Sequence, residues 1–250
     1  MLAAWAFWRI ELISRIRYST APFLCPITHQ GVVNHGESAG RSRDGADEEV
    51  GDSRPQLCRR HELTRLGQAN EWLKKSKLVA KAHEALGSRF KLGLVKIDLD
   101  FKAAEAATKE MIGRQVGSIT VTQVIVSEMI PHKEEYYCAV KSTREGSEIL
   151  VANCGGIEVE SNWERVKRLC LEIGQAPSPE SLEKLSKEAG FGGPLAKKMA
   201  EFAGKMFACF DSEDAQYLEV NPVVLRAADE ELVALDAVTL LDGDAKFRHP

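Results

Sequence analysis

The sequence predicts an α+β fold, or an α/β one, built on a mixed and mainly antiparallel sheet flanked by helices. Three observations carry this. Short β-rich runs alternate with helical ones from about Asn70 onward. Strand-like runs follow one another between residues 123 and 153 with only short turns between them, as in a meander. Two helical patterns, the first with start and stop signals and the second with apolar spacings of three and four, then stand between that meander and a final hairpin.

The elements follow in order. LVAK at 78–81 and GLVKIDL at 93–99 have strand composition and enclose the polar loop AHEALGSRFKL. KAAEAATKEMIG reads as a helix that ends at Gly113. QVIVSEMI at 123–130, YYCAVK at 136–141 and EILVAN at 148–153 read as strands, with REG at 144–146 as a turn. Ser178, Pro179 and Glu180 form an N-cap, a first helical position and a first-turn acid, and Gly190 is placed to close that helix. Leu195, Met199, Phe202, Met206 and Phe210 recur at spacings of three and four, which marks the apolar face of a second helix and makes these residues core. YLEVNPVVLRAADEELVALDAV, from Tyr217 to Val238, reads as a hairpin turning around Ala227 to Glu230, with Asp236 on its second strand.

Residues 70–250 therefore form the working domain, and 1–69 are expected to be poorly ordered or atypical. From His35 to Arg60 the chain is dominated by Gly, Ser, charged residues and Pro, and reads as disorder or linker. The opening MLAAWAFWRIELISRIR is interrupted by Glu11 and followed by no cleavage pattern, so it does not read as an organelle-targeting helix.

Composition excludes several functions. The 250 residues include 33 basic and 37 acidic side chains, a formal net charge of −4, which offers no basic excess to hold nucleic acid or an anionic membrane. No apolar run approaches the roughly 20 residues that span a bilayer. The six cysteines at 25, 58, 138, 154, 170 and 209 show neither CxxC pairs nor zinc spacing, and read as reduced thiols of a cytoplasmic protein.

The hairpin raises the functional question, because Glu219, Asn221 and Asp236 stand among apolar residues. Side chains two apart on a strand share a face, so Glu219 and Asn221 point together while Leu218 and Val220 point the other way. Strand pairing could bring Asp236 beside Asn221. Oxygen donors gathered in this way suit Mg²⁺, which takes one or two carboxylates with phosphates and water; a solvated hairpin face is the alternative. GSRFKLG at 87–93 carries glycine, a hydroxyl and two cations on a short loop, as a phosphate-binding loop or an ordinary charged turn would. NCGGIEVE at 153–160 breaks a strand with Gly155 and Gly156, whose amides could face an anion or simply make a turn or bulge. In VSEMIPHKEEYY at 126–137, alternation aims Glu128 opposite to Ser127 and Met129, and Pro131 ends the strand. A carboxylate at such a strand end can hydrogen-bond a ribose or a base edge, or remain a solvated acid.

Taken in order, Lys81 on a strand, GSRFKLG, SEMIPHKEEYY, CGGIEVESNW, LEVNPVVL, ALDAV and DGDAKFRHP resemble the ATP-grasp domain of the acyl-CoA synthetase superfamily, over roughly 77–250. CGGIEVESNWERVK and PHKEEYY resemble the ATP-citrate lyase (ATP-citrate synthase) branch, and DGDAKFRHP the succinyl-CoA synthetase β branch. The resemblance implies an ATP-grasp fold and an ATP-dependent acid–CoA ligase that uses ATP and Mg²⁺. It implies that Lys81 contacts the nucleotide phosphates and the adenine side, and that Gly87, Ser88 and Arg89 form the loop that closes over the phosphates. Glu128 and the nearby Met129 to Pro131 backbone would hold adenine and ribose, Glu135 would add a further nucleotide contact, and Asn221 and Asp236 would be the metal ligands, with Glu219 a weaker candidate beside them.

It further implies a partner subunit that binds CoA and bears a phosphohistidine, and citrate or another small carboxylic acid as substrate. Succinyl-CoA synthetase β-like activity and a non-catalytic nucleotide-binding remnant are the competing expectations. Two departures stand out. Phe90 occupies a loop position where relatives usually place glycine, and residues 1 to about 70 do not clearly resemble the helix and strand that open this domain, so its first subdomain is expected to be incomplete at the N-terminus. Neither His132 nor His249 matches the phosphorylated histidine.

Overall fold

The computed structural model describes residues 70–84 and 89–248, together with the strand Gln56–Cys58 and the single positions Leu63 and Gly67. Gly87, Ser88, the opening aromatic segment and most of the Gly- and Ser-rich stretch at 35–60 lie outside the described residues.

Two sheets organise the chain, and every strand pair in them is antiparallel. The first contains β1 (Gln56–Cys58), β2 (Leu78–Ala82), β3 (Val95–Leu99) and β6 (Val124–Glu128) in the order β1-β6-β2-β3. Helices α1 (Trp72–Lys75) and α2 (Phe101–Met111) belong to this half, as does the small ribbon β4 (Gln115–Val116) with β5 (Ile119–Thr120). Asp100 starts α2 by accepting a hydrogen bond from the Ala103 amide at 2.8 Å. Leu78, Ala80 and Ala82 of β2 and Val124 and Val126 of β6 join Leu73, Ala104, Ala107 and Met111 in one core. Strand alternation therefore leaves Val79 and Lys81 of β2, with Ile125 and Ser127 of β6, on the opposite face of this sheet.

The second sheet runs β9-β8-β7-β10-β11, from β7 (Glu135–Ser142), β8 (Gly146–Ala152), β9 (Lys167–Glu172), β10 (Ala215–Arg226) and β11 (Glu231–Ala234); β12 (Ala237–Leu241) also pairs with β10. Helices α4 (Pro179–Glu188) and α5 (Gly193–Ser212) cover one face of it. Ser178 caps α4 by accepting from the Ser181 amide, and Gly190, at φ +92°, follows its end in a conformation that favours glycine. Met199, Phe202, Met206 and Phe210 of α5 are buried against Cys138, Val140, Ile149, Leu218 and Val220. Each such side chain contributes about 1.5–3 kcal/mol of burial, so this face is the main source of stability in the second half. The fold is α+β in class, with antiparallel sheets flanked by helices. No described helix is long and apolar enough to cross a membrane.

Two local expectations are corrected. Asp236 is not within a strand: β11 ends at Ala234 and β12 begins at Ala237. Opposite this break lies Asn221–Pro222, a cis peptide whose proline has no amide to give the ladder. The pairing is bridged by Asn221 N–H to Asp236 C=O at 3.1 Å and Leu235 N–H to Pro222 C=O at 3.0 Å. The glycine pair at 155–156 introduces α3 (Gly156–Ser161), a short helix on the uncovered face of the sheet, and not merely a strand break.

Candidate nucleotide site

Lys81 reaches from the uncovered face of the first sheet to the second. Its ammonium donates to the Leu235 carbonyl and stands 3.4 Å from the Asp236 carboxylate. Arg89 arrives from the loop after β2. One guanidinium nitrogen donates to the Ala82 carbonyl at 2.8 Å and another donates to Asp236. Lys81 and Arg89 are only 8% and 9% exposed, and the Asp236 side chain 19%, so these charges meet where water is scarce and their interaction is poorly screened. Three sequence-predicted residues from the two ends of the chain thus form one cluster.

A second cluster lies beside it. The Asn221 side chain accepts from the Gly156 amide at 2.6 Å and donates to the Gly156 carbonyl at 3.2 Å. Gly156 sits at φ +59°, and a Cβ there would fall 2.0 Å from the Glu135 carboxylate. Asn221, Gly156 and Glu135 are therefore packed together, and the left-handed φ at Gly156 favours glycine there. The main-chain hydrogen bond between Asn221 and Asp236 joins this cluster to the first.

The turn from β6 to β7 supplies the remaining candidates. Ile130 is buried with Val224 and Val233 and packs against Leu235, which seats this turn on the hairpin that carries Asp236. His132 Nδ1 stands 2.7 Å from the Ile130 carbonyl, which can only accept, so Nδ1 carries the proton; Nε2 lies 3.4 Å from Glu135. Pro131 lies between them. Glu128 shares the register of Leu78 and its carboxylate accepts from the Ser76 hydroxyl at 2.9 Å, so it is held on the helix side of the first sheet, away from Lys81. Met129 N–H donates to Lys77 C=O at 2.7 Å. Gly87 and Ser88 lie outside the described residues, and Phe90 is 59% exposed.

Glu219 is occupied differently. It accepts from Tyr137 at 3.0 Å and from Tyr217 at 2.5 Å. Burial, with the Glu219 contact next, pushes the Tyr217 hydroxyl up to about 12. Burial and the Glu219 charge push Tyr137 up as well. Both phenols therefore stay protonated and donate. Sequence reading missed the tyrosines, although Tyr217, two residues before Glu219, shares its face.

A hard cation needs oxygen donors, and this region supplies the Asp236 carboxylate with the Asn221 carboxamide from adjoining positions. Among the described residues no three His, Cys, Asp or Glu side chains gather as a metal cluster. The donor set fits a cation that completes its shell with phosphate and water, and does not fit one caged by protein alone. Lys81 and Arg89 are suited to neutralise phosphate oxygens, Arg89 through two parallel donors.

The family model of the ATP-citrate synthase ATP-grasp domain matches residues 46–249. ATP-citrate synthase alpha chain protein 1 of Arabidopsis thaliana is 35% identical over 192 residues, covering 75% of this chain and 44% of that protein. The succinate–CoA ligase (ADP-forming) subunit beta of Chloroflexus aurantiacus is 31% identical over 180 residues, covering 69% and 47% respectively. The chain spans less than half the length of these curated relatives. Among solved structures, ATP citrate lyase from Methanothrix soehngenii in complex with citrate and coenzyme A aligns with a TM-score of 0.66 and 27% identity, over 77% of this chain and 45% of that one. The dinucleotide-forming acetyl-coenzyme A synthetase 1 of Ca. Korarchaeum cryptofilum shares the fold, with a TM-score of 0.57 at 18% identity over 75% of this chain and 86% of that one.

Proposed function

The chain belongs to the ATP-citrate synthase ATP-grasp domain family, and from that membership we propose that it binds Mg·ATP as the nucleotide-binding part of an ATP-dependent acid–CoA ligase acting on citrate. The observation that carries the proposal is the convergence of Lys81 and Arg89, from one sheet, on Asp236 at the break in the other. Such a triad offers two cations for a triphosphate and one carboxylate for its metal.

The chain's own share of the reaction is positioning and charge neutralisation. Lys81 and Arg89 would bind the phosphates, with Gly87 and Ser88 completing their loop. Asp236 and Asn221 would hold Mg²⁺, which when bound offsets the charge on the phosphate oxygens. Glu135 and the main chain of Met129 to Pro131 would hold the base and ribose, with Glu128 supporting that turn from the Ser76 side. In the full reaction the γ-phosphoryl group leaves ATP as ADP departs, and joins a histidine on a CoA-binding partner. It then passes to a citrate carboxylate, and the CoA thiol displaces phosphate to form citryl-CoA, which is cleaved to acetyl-CoA and oxaloacetate.

A second acid has its own support, since the chain is 31% identical to a succinate–CoA ligase subunit beta. Thermal shift tests the nucleotide step: a ligand that binds only the native state must raise the melting temperature, by an amount that grows with ligand concentration. Mg·ATP is expected to do so for the wild-type chain and not for Asp236→Ala. No shift with Mg·ATP for the wild type would overturn the proposal. Reconstitution with a CoA-binding partner, supplied with citrate or with succinate, decides the acid.

A further inference from the structure

The turn from β6 to β7 holds two hydrogen-bond acceptors that face one another. The His132 ring is anchored at Nδ1, whose proton goes to the Ile130 carbonyl at 2.7 Å. In the neutral ring Nε2 is then a bare acceptor, and it stands 3.4 Å from Glu135 Oε1, which in the carboxylate also accepts. Both side chains are open to a ligand, at 25% and 40% exposure. We propose that His132 reads the ribose: Nε2 accepts from one hydroxyl of the nucleotide's vicinal diol while Glu135 accepts from the other. This rests on the nucleotide reading above and deepens it, because it adds His132 to the contacts and makes the site favour ribonucleotides over their deoxy analogues.

The spacing selects the donor. Acceptors 3.4 Å apart are too close for two N–H groups of one amino or ammonium nitrogen, whose straight hydrogen bonds of about 2.9 Å diverge to end about 5 Å apart. A single hydroxyl has one proton and satisfies only one of the two. Adjacent hydroxyls on a ring bring two protons side by side, and each acceptor takes one. The pair is also held from behind. Ile130 is buried with Val224 and Val233, so the carbonyl that fixes the imidazole belongs to packed main chain. The other Glu135 oxygen lies 2.0 Å from where a Cβ on Gly156 would stand, so the carboxylate rests against the start of α3. A ligand that lacks one hydroxyl leaves one of these acceptors without a proton, and a site built to bind a hydroxyl rejects the analogue that lacks it.

Calorimetric titration with Mg·ATP, Mg·2′-deoxy-ATP and Mg·3′-deoxy-ATP reads the two hydroxyls separately. The wild-type chain is expected to bind ATP more tightly than either analogue, on the order of tenfold. His132→Asn keeps a side-chain donor for the Ile130 carbonyl and has no acceptor at the Nε2 position. It is expected to lose the preference against one analogue and to keep the preference against the other, which Glu135 reads. His132→Gln, whose amide oxygen extends towards the Nε2 position, is expected to recover part of the lost preference. Retention of both preferences in His132→Asn overturns the inference, and so does loss of both, which would mean that the ring only orients Glu135. A wild-type chain that binds Mg·ATP and both analogues equally also overturns it and leaves the nucleotide reading standing. Failure of the wild-type chain to bind Mg·ATP at all overturns both. Melting temperatures without ligand confirm that each variant is folded before it is titrated.

Discussion

The guanidinium of Arg89 donates to the carboxylate of Asp236, 147 residues later in the chain and on the other sheet. The same Arg89 is tied to Ala82 C=O by its other terminal nitrogen, so one guanidinium bridges the end of β2 and Asp236. Lys81 adds a second cation to the same carboxylate. Three side chains thus do two jobs, fastening two sheets and gathering the charges of the candidate site.

Truncating Arg89 should therefore lower stability even without ligand. Arg89→Ala leaves Asp236 with one cation fewer and the Ala82 carbonyl without this donor. Breaking a buried ion pair costs about 3–5 kcal/mol, and the partial exposure of Asp236 places the loss at about 3 kcal/mol or less. Arg89→Lys should recover only part of it, since a single ammonium cannot span both acceptors. Urea unfolding of the two variants beside the wild type measures the difference.

Gly155→Ala should disturb the site from outside it. A Cβ at Gly155 would lie 2.4 Å from the Tyr136 carbonyl, and main chain cannot swing aside as a flexible side chain does. The start of α3 must shift, carrying with it the Gly156 amide that holds Asn221. The expected loss is about 1–3 kcal/mol, as for other overpacked positions. Gly243, where an added Cβ meets nothing within 4 Å, is the control and should change stability by less than about 0.5 kcal/mol.

The tyrosine pair on Glu219 should show in alkali. The Tyr217 hydroxyl is pushed up to about 12 in the folded chain, mainly by burial, from a usual value of about 10. A raised pKa means that the folded state keeps its proton longer than the unfolded state. The contribution is full below pH 10 and is lost as the pH rises towards 12. Burial also pushes the Cys138 thiol up to about 12, so part of the alkaline loss persists without Tyr217. Tyr217→Phe should lose less stability than the wild type between pH 10 and 12, as followed by thermal melts across that range.

Much of the fold is legible in the sequence because its signals are local. The three- and four-residue spacing of α5, the Ser178–Pro179 start of α4 and the strand composition of β2 and β6 each need only neighbouring residues. The site is legible only in its residue types. Lys81 and Asp236 are 155 positions apart, and Asn221 meets Gly156 across 65, and no periodicity reports such meetings. Parity placed Glu128 opposite to Ser127, and its hydroxyl partner Ser76 could not be read from parity. The start of α3 was hidden because Gly155 offers no capping side chain.

The most direct measurement is a crystal structure of the chain grown with Mg²⁺ and a non-hydrolysable ATP analogue. The analogue's phosphates are expected on Lys81 and Arg89, and Asp236 is expected to turn from these cations to the metal, with Asn221 beside it. An analogue bound elsewhere, or one bound here with the Arg89–Asp236 pair intact and no metal on Asp236, would contradict it.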